Sequence, residues 1–230
     1  MARVNVDVAM ALGFLVITQN SSSVLHYLTF CKASVMTVSV VLASASPRRT
    51  ALLKQMGIAH SILPVDIDES VKGNETPRAQ VERLAREKAE AAKIRLESDK
   101  RFSTDTVILA SDTLISFKNK SVGKPKDKDD AHRILGMLSG NQHEVLTSIC
   151  VLSNDKKVSE VITTQVSFAI ITEQQIDAYW NTGEPADKAG SYAIQGIGGE
   201  FVKTINGSAS AVVGLPLYET RQLLSKFGVV

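Results

Sequence analysis

The chain has 230 residues, 44% hydrophobic and 22% charged, with a formal net charge of +2. That is a globular composition with room for one large α/β domain or two small lobes, and the small positive excess argues against a nucleic-acid coat. The two cysteines, Cys31 and Cys150, are far apart and lack CxxC spacing, which argues against a disulfide framework and a zinc site and makes a reducing cytoplasm the simplest setting.

Residues 1–35 differ in pattern from the rest of the chain. Val8 to Ile17 is an apolar run of ten, too short to span a bilayer. It follows Arg3, as a secretory signal would. Asp7 borders it, however, and no small-residue cleavage site follows promptly. The reading adopted is an N-terminal extension over 1–35, poorly ordered or not native, with Met36 as the natural start of one domain over 36–230.

Regular patterning begins at Val38. Val40 to Ala43 reads as a buried strand. Ser46-Pro47 then starts a helix: serine caps a free amide, and proline tolerates the first helical position. Leu52, Leu53 and Met56 form its apolar face, and Gly57 ends it. The turn between strand and helix exposes unsatisfied amides at the positive end of a helix dipole. Arg48 and Arg49 fall in the first helical turn, where cations do not favour the helix. A multiply charged anion explains them better than folding does.

Ala59 to Val65 reads as a second strand running into the acidic loop Asp66-Ile67-Asp68-Glu69. These acids are either solvated or hold a divalent cation, since hard cations take oxygen ligands. Thr76-Pro77 opens a helix with Val81, Leu84, Ala85, Ala92 and Leu96 on one stripe. Lys88 shares that stripe, so its ammonium either snorkels to water or reaches a phosphate. Thr106 to Ala110 is a central strand that ends in Ser111-Asp112-Thr113. A charge just past a buried strand is costly unless it has a partner or a chemical role. Asp112 is therefore a turn cap, or else a general base or metal ligand beyond a strand end.

Leu114 to Phe117 and Ser121-Val122 flank Lys118-Asn119-Lys120 as a hairpin, which leads to Gly123-Lys124-Pro125. Glycine and proline hold Lys124 more firmly than a surface lysine. Asp127 caps a helix with Ala131, Ile134, Leu135 and Leu138, stopped by Gly140. Glu144 to Leu152 and Lys157 to Ile171 are two long strands; Ile162, Thr164, Val166, Phe168 and Ile170 share a face of the second. His143 and Glu144 point to opposite faces and are structural. Thr172 to Gln175 is a capping box for a helix through Trp180, ended by Gly183.

Ala189 to Gly199 is glycine-rich without GxGxxG spacing, which argues against a dinucleotide site. Gln195 within it offers a donor and an acceptor suited to the edge of a base, unless the segment is only a hairpin approach to the strand Phe201 to Ile205. Asn206-Gly207 is a turn, Ala211 to Val213 a last strand, and Pro216 starts a terminal helix with Leu217, Leu223 and Leu224 inward or nearly so.

Taken together, Leu42-Ala-Ser-Ala-Ser-Pro-Arg-Arg49, Ser111-Asp-Thr113, Gly123-Lys-Pro125, Leu138-Ser-Gly140 and Ala189-Gly-Ser-Tyr-Ala-Ile-Gln-Gly196 resemble the Maf family of nucleotide pyrophosphatases. Gly207-Ser208 and Val213-Gly-Leu-Pro-Leu217 continue the likeness, which covers about Val38 to Phe227. The resemblance implies an α/β fold like that of inosine triphosphate pyrophosphatases: an elongated mixed β-sheet flanked by helices, with two lobes and a deep cleft. It implies a hydrolase of nucleotide metabolism, cutting a nucleoside triphosphate to monophosphate and pyrophosphate with a divalent metal, Mg or Mn. At Arg48, Thr113 and Gln195 the chain is similar to the dTTP/UTP subgroup rather than the 7-methyl-GTP subgroup, which tends to carry Trp, Gln and Glu there.

On that reading Asp112 orients and deprotonates the attacking water and shares the metal with Glu69. Ser44, Arg49, Lys88 and Lys124 sit on the phosphate side; Arg48, Thr113 and Gln195 face the base. The expected assembly is a cytoplasmic homodimer acting on a free nucleotide, with neither nucleic acid nor membrane as partner. Two alternatives stay open: an inosine triphosphate pyrophosphatase-like enzyme for non-standard purines, and a nucleotide-binding regulator of cell division and septum formation.

Overall fold

In the computed structural model, which describes residues 38–230, the first element is strand β1 (Ser39–Leu42), with Val40, Val41 and Leu42 buried. The expectations for residues 1–35 lie outside the described residues. A tight turn leads into helix α1 (Pro47–Gln55), with Leu52 and Leu53 buried and Gly57 closing it at φ +72. Ser46 stands at the N-cap, but its side chain makes no cap bond. Ser44 takes over locally: its hydroxyl accepts from the Ser46 amide at 3.2 Å. The strand expected over 59–65 shortens to β2 (Ser61–Ile62), an exposed pair at the sheet edge with β1 as its neighbour.

Thr76 caps helix α2 (Pro77–Ser98) by accepting from the Ala79 amide, and the predicted apolar stripe is buried along its length. Strand β3 (Thr106–Phe117) follows, and β4 (Lys120–Val122) folds back on it through Lys118 and Asn119, at φ 49 and 59. Two left-handed residues in a two-residue loop match the twist of a hairpin. Asp127 caps helix α3 (Lys128–Leu138) by accepting from the Asp130 amide. Then come β5 (Gln142–Leu152), β6 (Lys157–Phe168) and helix α4 (Glu173–Trp180), the last with its predicted capping box. Three short 3-10 turns, Glu184–Asp187, Ala189–Ser191 and Ile197–Phe201, precede β7 (Val202–Asn206).

Two expectations are corrected. The central strand does not end at Ala110. It runs unbroken because β5 pairs with it from Ile108 to Ser116, which satisfies the backbone of Ser111, Asp112 and Thr113 inside the ladder. Asp112 is therefore a mid-strand residue. The second correction is 211–213, which is helical: helix α5 (Ala209–Val213) precedes the terminal helix α6 (Leu217–Ser225). The Ser208 hydroxyl accepts from the Ala211 amide and nucleates the turn, which overrides the β preference of Val212 and Val213. Thr164 pins Ser208 from β6, and Gly214 stops the helix at φ +127.

The sheet is mixed, in the order β2-β1-β3-β5-β6-β7 with β4 beside β3; β1 runs parallel to β2 and β3, and the remaining pairs are antiparallel. Twelve residues of β3 extend roughly 40 Å, so the sheet is elongated as predicted. Helix α2 covers one face, its alanines and Leu96 against Ile108, Ala110 and Cys150. The opposite face carries two separate groups. Leu52, Leu53, Leu223 and Leu224, from α1 and α6, pack on Val107 and Leu109. Ile134, Leu135, Leu138, Ile176 and Tyr179, from α3 and α4, pack on Ile115 and Phe117. Ser111 and Thr113 lie between the two groups, and a cleft opens there. Among the described residues no helix is long and apolar enough to cross a membrane.

His143 is structural, as expected. It is buried against the edge of Phe168 at 4.9 Å, with Nε2 at 2.8 Å from the Tyr192 hydroxyl and Nδ1 without a partner among the described residues. Burial pulls its pKa down to about 4. The neutral ring therefore stabilises the fold fully above about pH 6.5, and that contribution is lost as pH falls toward 4. Urea midpoints should show the native protein losing on the order of 3 kcal/mol more than His143→Phe between those limits. Parallel losses in the two proteins would contradict it.

Candidate active site

The cleft holds about 850 Å³. Strand residues Thr113, Ile115 and Val145 line it, with Arg48 and Arg49 from the first turn of α1. Lys124 reaches it from the turn after β4, and Tyr192 and Gln195 from the glycine-rich segment. Of the predicted site residues, Arg48, Arg49, Thr113, Lys124 and Gln195 thus share one hollow.

Arg49 is the most heavily tied of them. Its Nε donates to the Gly214 carbonyl at 2.9 Å, one Nη to Ser44 Oγ at 3.0 Å and the other to Thr113 Oγ1 at 3.4 Å. Burial lowers the guanidinium pKa, Asp112 and Glu69 oppose that, and Arg48 adds to it. An arginine remains charged regardless. Thr113 passes the polarity on. Thr147 Oγ1 lies 3.1 Å away and donates its own proton to the Ala211 carbonyl at 2.7 Å. Thr113 must then donate to Thr147 while accepting from Arg49. Ser111 Oγ also donates to the Gly214 carbonyl, at 2.9 Å. The end of α5 therefore supplies the acceptors that seat Arg49, Ser111 and Thr147. Arg48, one residue earlier, is exposed at the rim.

Asp112 points the other way. Strand alternation sends it to the α2 face, where Lys88 Nζ donates to its Oδ1 at 2.6 Å and meets Glu69 Oε1 at 2.7 Å. Lys88 does not snorkel free; its ammonium joins two carboxylates 43 positions apart in sequence. The cluster is electrostatically continuous with the cleft, since Asp112 and Glu69 both act on Arg49 and Lys124 acts on Glu69. Partial burial works against the Glu69 carboxylate, but Lys88, Lys124 and Arg49 outweigh it and hold its pKa below the ordinary value.

Among the described residues no group of three or more His, Cys, Asp and Glu converges as a closed metal site. Asp112 Oδ1 and Glu69 Oε1 both converge on Lys88 Nζ, which leaves Asp112 Oδ2 and Glu69 Oε2 without a hydrogen bond among the described residues. Such a donor pair could hold a hard divalent ion that draws its remaining ligands from phosphates and water. Of the other predicted acids, Asp68 accepts from the Ser70 amide at 3.0 Å.

Residues 39–227 match the family described as Maf-like protein. The chain belongs to the Maf family. Its relatives named "dTTP/UTP pyrophosphatase" include proteins from Pseudoalteromonas atlantica (48% identical, covering 83% of this chain and 97% of the relative) and Colwellia psychrerythraea (51%, 83% and 89%). The Vibrio cholerae protein of the same name is 48% identical over 84% of this chain and 100% of its own. A solved structure of the Staphylococcus aureus Ham1 protein aligns at 16% identity and a TM-score of 0.37, over 58% of this chain and 72% of that one.

Two further residues, Thr147 and Gly214, shape the site of this Maf chain. Thr147 had a signal: it is a hydroxyl on the apolar stripe of Val145, Ile149 and Val151. Gly214 had a weaker one, as a glycine ahead of Leu215-Pro216. Ser44, read as a phosphate contact, spends its oxygen on the Ser46 amide and Arg49.

Lys88 and Asp112 are both largely shielded, with side chains 12% and 11% exposed. Lys88→Met leaves a buried carboxylate without its cation and should cost ~3 kcal/mol in chemical denaturation. Adding Asp112→Leu should recover most of that loss. Equal stability of Lys88→Met and the native protein would dismiss the pair as structurally idle.

Proposed function

We propose that this Maf chain hydrolyses dTTP and UTP to the nucleoside monophosphate and pyrophosphate. The observation that carries the reading is the juxtaposition of two cations in a cleft, the tied Arg49 and the exposed Lys124, with the Asp112–Lys88–Glu69 cluster electrostatically joined to them. The relatives' printed activity, at about half identity over nearly their whole length, supports the substrate.

Arg49 and Lys124 neutralise the triphosphate, which would otherwise repel both water and base. The first turn of α1, which its N-cap side chain leaves unbonded, adds backbone dipoles of the same sign. At residues 110–114 the edge of β3 between β1 and β4 has no strand neighbour among the described residues, and there water attacks the α-phosphorus and transfers a proton to Asp112. The bond to the bridging oxygen breaks, and its electron pair leaves on pyrophosphate. Lys88, donating to Asp112 Oδ1 at 2.6 Å, holds that carboxylate in place between turnovers. Asp112 and Glu69 would hold a divalent cation, Mg or Mn, which when bound supplies further charge neutralisation at the phosphates. Arg48, Thr113 and Gln195 serve the base side, where the Gln195 amide meets the donor and acceptor edge of uracil or thymine.

The reading carries a cytoplasmic homodimer acting on free nucleotides; sedimentation equilibrium reads the assembly. Asp112→Asn should lower pyrophosphate release from UTP by ~10²–10⁴-fold with little change in melting temperature. Undiminished turnover would remove Asp112 from the chemistry. A panel of nucleotides, assayed with and without chelator, should give release from dTTP and UTP that chelation abolishes. Strong release from ITP alone would replace the pyrimidine reading.

A further inference from the structure

We propose that Glu184 and Tyr179 form a positioning clamp for the glycine-rich segment, setting where Gln195 stands in the cleft and thereby the selectivity for the base. The proposal rests on the reading of Gln195 as a base-side residue.

Two side chains hold three backbone amides that flank Gln195. Tyr179, on α4, is only 2% exposed, and its hydroxyl donates to Glu184 Oε1 at 2.6 Å. The same hydroxyl accepts from the Ala193 amide at 3.1 Å. Glu184 Oε1 also accepts from the Gly198 amide and Oε2 from the Ile197 amide, both at 3.0 Å. The segment from 193 to 198 is therefore fastened on both sides of Gln195. Its upstream neighbour is fastened too: the Gly190 amide donates to the Gly123 carbonyl at 2.9 Å, which ties it to the turn that carries Lys124.

The glycines belong to the clamp. A Cβ at Gly196 would sit 2.2 Å from Glu184 Oε2, and one at Gly198 would sit 2.4 Å from the Tyr179 hydroxyl. Neither glycine has a left-handed φ to explain it: Gly196 is extended and Gly198 lies within a 3-10 turn. What each needs is space for a pinned polar atom. The carboxylate is suited to this role because both its oxygens accept and neither donates. Partial burial disfavours its charge, but the Tyr179 hydroxyl and the two amides outweigh burial and lower its pKa.

A side chain on a loop can read a base only if the loop does not drift. A displacement of about 1 Å is enough to cost a contact its geometry. The pair thus acts through Gln195, while the phosphate-side residues lie on other elements.

The test uses the full chain and three variants, with Gln195→Ala as reference. Glu184→Gln keeps the size but turns one acceptor into a donor that faces a backbone amide. Tyr179→Phe removes the hydroxyl. Gly196→Ala pushes the carboxylate aside through a flexible side-chain end, so the fold tolerates it. Amide exchange at Ile197 and Gly198 should quicken about tenfold in Glu184→Gln and Gly196→Ala and stay unchanged in Gln195→Ala. The preference for UTP over CTP in kcat/KM should fall about tenfold in all four proteins, chiefly through KM. If Gln195→Ala loses the preference and the clamp variants keep it despite faster exchange, the clamp does not set selectivity. If exchange does not quicken, there is no clamp. If Gln195→Ala itself keeps the preference, the base-side reading fails instead.

Discussion

A strand buried on both faces cannot carry polar residues in its middle without partners on both faces. Strand β3 does so at Ser111, Asp112 and Thr113, and the surrounding architecture answers it. Successive residues face opposite ways. Asp112 therefore meets α2, while Ser111 and Thr113 meet the segment around Gly214. Each orphaned polar group would cost on the order of 1–3 kcal/mol, so the partners are obligatory. On one side Lys88 interrupts an alanine-rich helical stripe to supply a cation. On the other, the carbonyls of Ala211 and Gly214 and the guanidinium of Arg49 complete a short relay. The same strand thus sorts acid chemistry to one face and ligand-lining hydroxyls to the other, one residue apart.

The cleft follows from where the apolar packing stops. The α1–α6 group and the α3–α4 group each cover one end of the same sheet face. Neither extends over the polar middle of β3, because apolar side chains gain nothing there. Around that opening the cations are supplied by loops and by a helix start, not by the strands. Arg49 is locked by three acceptors, and Lys124 is presented by the turn between Val122 and Pro125, whose Gly123 carbonyl is tied to the Gly190 amide. Fixed cations are what a polyanion requires, since little reorganisation remains when it arrives.

Much of this was legible in particular residues. Ser-Pro and Thr-Pro placed two helix starts, Asp127 and the Thr172 box placed two more, and Gly57, Gly140 and Gly183 marked ends. These are signals between residues one to four apart, so they survive without tertiary knowledge. Two readings failed for the converse reason. Asp112 looked like a strand end because three small polar residues follow Ala110, yet β5, about thirty residues on, carries the ladder through them. Val212 and Val213 looked like a strand, yet Ser208 and its anchor Thr164 on β6 wind that segment into a helix. Both turned on partners from elsewhere in the chain.

By itself, the sequence determined the order of the elements up to β7, the apolar faces of α2 and α3, and the set of charged and amide side chains available for a phosphate ligand. Periodicity and capping are local, and they are written in order. Only the tertiary structure decided which of those side chains meet. That Lys88 joins Asp112 to Glu69, that Arg49 rests on Gly214 from 165 positions away, and that Glu184 holds the backbone beside Gln195 all depend on contacts closed by the sheet and its helices. Such contacts are set by packing in three dimensions, and no spacing along the chain encodes them.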